Sequence, residues 1–189
     1  MKKLIKVNSP NAALKACEIM HRGGIIAYPT DTIYGFGCDS KNETAIKKLN
    51  NLKKRSGPIS VISPDRKTAI DWMTIKINQK SKVQRKMVNG NTVIATVKKN
   101  ICSNLIMGNG NTLGIRIPKH DFCKKLSSLF PNPITSTSAN INGKSPHIRA
   151  EDILNEFDDG VDLVIDGGII NGSGSKIFLL DNDIWKQLR

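Results

Sequence analysis

Apolar positions along the chain recur with two periods. Short runs such as Ile25–Tyr28, Pro58–Ile62, Thr92–Val97, Leu113–Ile117, 133–137 and 161–165 are rich in β-branched and aromatic residues and bounded by Gly, Pro or Asn, the pattern of strands. Between them, helical spacing predicts helices near 65–73, 79–88, 121–129 and 150–157. Ser9-Pro10 before an apolar-periodic stretch that ends at Gly23-Gly24 predicts a helix with Ser9 as N-cap and Pro10 in its first turn. Ser40 with Glu43 three residues on reads as a capping box opening a helix to about Lys54. Lys176–Leu180 and Ile184–Leu188 flank Asp181-Asn182-Asp183 and predict a terminal hairpin. Helices and strands that mix without strict alternation predict one α/β or α+β domain over residues 1–189, built on a mixed sheet.

Composition sharpens this only in places. At 189 residues, 39% hydrophobic and 24% charged, the chain is long enough to bury a core without covalent staples. No stretch approaches the ~18 apolar residues of a membrane span, and Lys6, Asn8, Ser9 and Pro10 interrupt any signal-peptide core after Lys2 and Lys3. Cys17, Cys38, Cys102 and Cys123 form no CxxC pair, so reduced thiols and a cytoplasmic location are expected. Charge is uneven. Residues 1–100 hold 20 Lys+Arg against 6 Asp+Glu, a net of +14, and the remainder is −1. A partner of polyanions would look like this. So would drift in an AT-rich coding sequence, given 22 Lys to 7 Arg, and both readings stay open.

Candidate chemistry gathers at strand ends. Pro29-Thr30-Asp31-Thr32-Ile33-Tyr34-Gly35-Phe36-Gly37 sets hydroxyls and a carboxylate directly after an apolar strand, where open sheets place ligands; a tight turn with local hydrogen bonds would serve equally. Lys53-Lys54-Arg55 closes a helix, where cations complement the dipole; Arg55 also offers a planar fork for an anion and Lys53 a mobile point charge. Arg116, in Asn111-Thr112-Leu113-Gly114-Ile115-Arg116, shares a strand face with Gly114 and Thr112, which predicts a polar, open face and favours a bound anion over a core salt bridge. Thr135-Ser136-Thr137-Ser138-Ala139-Asn140 is a dense array of small donors. The three histidines have no nucleophile beside them in sequence, and no metal-ligand cluster stands out.

In their order and wording these segments resemble the YrdC-domain threonylcarbamoyl-AMP synthases: PTDTIYGFG, KKR, TLGIRIP, STSAN, IDGG and a late Ser175, from about Gly24 onward. The resemblance implies a twisted mixed sheet forming an open barrel-like shell around a nucleotidyltransferase site. It implies that ATP, L-threonine and bicarbonate give threonylcarbamoyl-AMP and pyrophosphate, with Mg²⁺ expected on the triphosphate. A threonylcarbamoyl-transferase complex then passes the group to tRNA. Carried over residue by residue, Thr32, Arg116, Ser136 and Ser175 become threonine contacts. Arg55, Thr112, Ser138, Asn140, Ser145 and Arg189 become ATP contacts, and Lys53 joins Arg55 on the phosphates. The chain departs from the family pattern at Asn89-Gly90-Asn91, where Pro-Gly-Pro is usual, at Gly57, where an asparagine is common, and at Ser175-Lys176 in place of Ser-Thr. The alternatives are a YrdC-like protein that grips RNA or tRNA without synthetase activity, and the carbamoyl-transfer domain of hydrogenase maturation.

Overall fold

The computed structural model describes residues 3–181 and 184–189; the Asn182-Asp183 turn of the expected hairpin lies outside them. In chain order the elements are β1 (Leu4–Lys6), α1 (Ala12–His21), β2 (Ile26–Tyr28), β3 (Gly35–Gly37), α2 (Glu43–Leu52), β4 (Ser60–Ile62), α3 (Arg66–Trp72) and α4 (Ile77–Lys86). They continue with β5 (Thr92–Thr96), β6 (Thr112–Arg116), α5 (Asp121–Leu129), β7 (Ile134–Ser138), α6 (Ala150–Phe157), β8 (Leu163–Asp166), β9 (Ile177–Asp181) and β10 (Ile184–Gln187).

The strands form one mixed sheet in the order β1-β8-β2-β3-β7-β4-β6-β5-β9-β10, which does not close on itself. Alternation along the inner strands divides the core in two, because successive side chains leave opposite faces. Ile26, Tyr28, Leu163 and Ile165 pack with Ala16, Met20, Phe122 and Leu126 of α1 and α5. Ala27 and Val164 turn the other way, joining Ile46 and Leu49 of α2, Val83 of α4 and Ile153 and Phe157 of α6. Both faces are therefore covered, and the central strands read as continuous apolar runs rather than half-polar ones.

Three local expectations are corrected. The first helix begins at Ala12, with Asn11 at the cap, because the Ser9 carbonyl is spent accepting from Ala12 N in a preceding turn. At α2 the cap is Asn42, whose side chain accepts from Ala45 N at 3.0 Å. Ser40 stands too early: its backbone bridges Pro133 and Ser103, and Glu43 accepts from the Ser103 hydroxyl instead of closing a box. The third concerns Gly35–Gly37, which reads as loop and is strand β3, antiparallel to both β2 and β7. Glycine hides it, since two of three residues carry no β signal, yet close packing requires them.

A Cβ on Gly37 would stand 2.7 Å from Tyr28 Cε1 and 3.1 Å from the Thr135 carbonyl oxygen. Tyr28 is wholly buried and its hydroxyl donates to that same carbonyl, so neither neighbour can yield. Gly37→Ala is expected to destabilise the fold by about 1–3 kcal/mol through overpacking. A urea-unfolding midpoint equal to that of the parent protein would count against this account.

Candidate active site

The sheet brings the polar strand ends into register. Gly35 of β3 lies opposite Ser138 of β7, Ser136 of β7 opposite Ser60 of β4, and Arg116 of β6 between Ile62 of β4 and Thr92 of β5. Ser136 and Ser138 are two residues apart, so they share a face. On that face opens a cavity of about 330 Å³ whose lining includes Thr32, Arg55, Arg116, Ser136, Ser138, Ser175 and Arg189. All seven were singled out in the sequence, from segments spread over most of its length. A larger cavity of about 790 Å³ lies between the amino-terminal ends of α1 and α5 and contains none of them. Chemistry, not size, marks the site.

Arg116 is held at the cavity's inner end. Its Nη2 donates to Asp31 Oδ1 at 2.7 Å, and Nη1 and Nη2 each approach Thr32 Oγ1 at 3.4 Å. The pair is buried, with side chains 7% and 12% exposed. This corrects the expectation that a bound anion alone would balance Arg116: a carboxylate of the chain is already there. The guanidinium is not fully satisfied, however, because Nε is buried without a partner. Nη1, whose contact to Thr32 is long, keeps donor capacity for one more acceptor.

The loop that carries Thr32 is fixed by Thr30, whose hydroxyl accepts from the backbone N–H of Thr32 and of Ile33 and donates to the Ile33 carbonyl at 2.7 Å. Tyr34 ties the same loop to the segment after β8: its hydroxyl donates to the Gly168 carbonyl at 2.8 Å and accepts from Gly167 N at 2.9 Å. Burial pushes the Tyr34 phenol up to about 12, which keeps it a neutral donor. At the other side, Thr92 and Ser175 hydroxyls lie 2.9 Å apart. Arg189 Nε donates to the Ser175 carbonyl at 2.8 Å, and its guanidinium rests over Gly174, where a Cβ would come within 3.0 Å. Arg55 leaves the end of α2 half-buried, with Nη2 donating to the Pro58 carbonyl at 2.8 Å. Three guanidinium groups therefore face a cavity whose lining holds no Asp or Glu side chain, and since only that of Arg116 is paired with Asp31, the excess charge favours anions.

Four expected contacts are placed elsewhere. Lys53 is 2% exposed and does not line the cavity. Its ammonium donates to the Ser138 carbonyl and, at 2.7 Å, to that of Asn140, under the loop that carries Ser138. At the C-cap of α2 it points inward while Arg55 lines the cavity, so the two cations do not act side by side. Burial, with the Arg55 charge second, lowers the Lys53 ammonium to about 8. Asn140 is buried and turned to the backbone, its Nδ2 donating to the Ile141 and Lys144 carbonyls. Thr112 shares a strand face with Arg116 but starts β6 four residues earlier, ~13 Å along the strand. Its hydroxyl donates to the Asn109 carbonyl. Ser145 is exposed on the loop beyond Asn140. Nor is the Thr112–Gly114–Arg116 face open as expected, since Gly114 and Arg116 are buried and a Cβ on Gly114 would meet Thr92 Cγ2 at 3.2 Å.

Thr92, Ser60 and Asn142 also line the cavity without having been singled out. Thr92 and Ser60 look like ordinary strand residues in sequence, and only cross-strand register brings them to the site.

Known proteins share the fold. The profile of the Sua5/YciO/YrdC family, described as telomere recombination, matches residues 18–189. A threonylcarbamoyl-AMP synthase of Idiomarina loihiensis is 32% identical over 169 residues, covering 82% of this chain and 90% of the relative. The crystal structure of P. abyssi Sua5 complexed with L-threonine superposes with a TM-score of 0.87 at 25% identity, over 98% of this chain and 56% of that one, so this chain spans little more than half of that relative. E. coli YciO shares the fold, with a TM-score of 0.88 at 22% identity over 98% of this chain and 93% of its own. A profile match across almost the whole chain, with the same sheet beneath it, decides the lineage: the chain belongs to the Sua5/YciO/YrdC family.

Proposed function

We propose that the chain, as one domain over residues 1–189, is an L-threonylcarbamoyladenylate synthase. The observation that carries this reading is the single cavity joining a buried, incompletely satisfied Arg116 to Arg55, Arg189 and the hydroxyls of Thr32, Ser136, Ser138 and Ser175. Its relatives point the same way: one is a named threonylcarbamoyl-AMP synthase, and a second is described in complex with L-threonine.

In this reading, the threonine carboxylate meets the Arg116 fork beside Thr32, and the hydroxyls of Ser136 and Ser175 orient the rest of the amino acid. Its amine bonds to the carbon of bicarbonate with loss of water, giving a carbamate. A carbamate oxygen then attacks the α-phosphorus of ATP, the bond to the bridging oxygen breaks, and pyrophosphate leaves with the electron pair. Such a displacement asks for alignment and charge neutralisation rather than a protein nucleophile. Arg55, Ser138 and Arg189 supply these on the phosphate side. Lys53 sets the Ser138 loop from below in place of touching phosphate, and Asn140 does so from within it.

Among the described residues no group of three or more His, Cys, Asp or Glu side chains could hold a metal ion, and Asp31, the nearest carboxylate, is engaged by Arg116. These residues do not build a protein-held Mg²⁺ site, so the cation would enter on the triphosphate. The product would pass to the threonylcarbamoyl-transferase complex for tRNA modification. A cytoplasmic setting suits four buried, unpaired cysteines, and no helix of the described residues is long and apolar enough to cross a membrane.

Incubation with ATP, threonine and bicarbonate should yield the adenylate by mass spectrometry, with pyrophosphate release that needs both threonine and bicarbonate. Pyrophosphate release indifferent to threonine would sink the reading. Tight, steeply salt-dependent RNA binding without any release would favour the RNA-binding module instead.

A further inference from the structure

In Asn89-Gly90-Asn91, Gly90 packs directly against the Asp31–Arg116 pair. Asn89 and Gly90 both lie in the left-handed region, with φ of 50° and 67°. Asn91 pins the turn to the last residue of α4, its Nδ2 donating to the Lys86 carbonyl at 3.1 Å. Any Cβ on Gly90 would overlap Asp31 Oδ2, and would stand 2.9 Å from Asp31 Cγ and 3.2 Å from Arg116 Nη2. The turn is thus a wall against which the Asp31 carboxylate is seated, and the absent side chain is what lets the carboxylate reach the guanidinium.

Burial makes this seat consequential. Arg116 is a cation on an inner strand with weak contacts to Thr32 and an unpartnered Nε, so Asp31 supplies its one short hydrogen bond and its only opposite charge within contact among the described residues. A buried guanidinium stripped of that partner gains by rotating toward water, away from the cavity's inner end. With Asp31 engaging Nη2 alone, Nη1 remains directed to the Thr32 side for a second carboxylate.

We propose that Asp31, seated against Gly90, is a positioning residue that fixes Arg116 in the orientation that selects an amino acid's α-carboxylate. This rests on the reading of Arg116 as the threonine fork. Asp31 does not line the cavity and acts through Arg116.

Two variants test it. Asp31→Asn keeps an acceptor and removes the charge; Gly90→Ala leaves both partners intact and adds one methyl where the carboxylate sits. In each, KM for threonine should rise roughly tenfold to a hundredfold, the range for losing a charge-assisted hydrogen bond, while KM for ATP stays within about twofold. A merely structural role would shift both constants together, and that result, or no shift in either, overturns the proposal. Crystal structures of the variants supply a readout independent of turnover: the Arg116 guanidinium should leave Thr32. Should the parent protein make no adenylate, the synthase reading fails, and the position of Arg116 alone still decides. An unmoved guanidinium in Gly90→Ala refutes the positioning role, and a displaced one supports it.

Discussion

Arg55→Ala is expected to lower adenylate formation by on the order of 10²-fold or more, the usual cost of removing a cationic clamp from a transferring phosphoryl group, while leaving the fold intact. Arg55 is half-buried just past α2, and its side chain donates to the Pro58 carbonyl at 2.8 Å, so little of the core depends on that side chain. What depends on it is the charge of the cavity, where Arg55 stands with Arg116 and Arg189 and no Asp or Glu side chain is in the lining. Arg55→Lys should recover only part of the loss, because a point charge cannot reproduce a planar two-pronged contact. The measurement is single-turnover formation of the adenylate at saturating ATP, with circular dichroism to establish folding. Turnover near that of the parent protein in a folded Arg55→Ala variant would remove Arg55 from the mechanism.

Lys53→Met should produce a loss of similar size by another route. The ammonium donates to the carbonyls of Ser138 and Asn140, and methionine fills the same space without a donor. The Asn140 carbonyl then lacks a partner at ~1–3 kcal/mol, the Ser138 carbonyl keeps only the Asn140 N–H, and the strand end that presents the Ser138 hydroxyl loses part of its support. Turnover is expected to fall roughly tenfold to a hundredfold, for a loop misplacement of this kind. Stability should change less, because removing a buried charge offsets part of the lost hydrogen bonding. The sign of the pH dependence separates these effects. Burial lowers the folded-state pKa of Lys53 to about 8, below its value in the unfolded chain. The unfolded state therefore binds more protons between about pH 8 and the ordinary lysine range, and stability must rise with pH there. Below about pH 8 the full burdening of the fold by this charge is present; above the lysine range it is gone. Denaturant titrations of the parent protein from pH 7 to 10 should show this gain relative to Lys53→Met. Parallel pH profiles for the two proteins would contradict it.

How much of this was legible in the sequence differs from element to element. The helices expected near 121–129 and 150–157 are found at Asp121–Leu129 and Ala150–Phe157, because their apolar spacing belongs to one helix period. Gly35–Gly37 was missed as a strand since its pairing with β2 and β7 is dictated by space, not by propensity. At the site, wording located Thr32, Arg55, Arg116, Ser136, Ser138, Ser175 and Arg189 in one cavity. It misplaced Lys53, because a cation two residues from another at a helix end can point to either side of the turn, and only packing says which. Asp31 stood in plain view within PTDTIYG, yet nothing local revealed that its partner was Arg116, 85 residues away. Thr92 and Ser60 required register across the sheet, which one-dimensional pattern does not contain.

The parallel pairing of β5 with β9 places Thr92 beside Ser175, and Arg189 closes over the same edge. During synthesis the ribosome thus releases every earlier strand before the pocket's far wall exists. A nascent chain can bury most of its apolar surface and still lack this wall, so competence should emerge abruptly, with the docking of the last two strands, rather than grow in proportion to the length made.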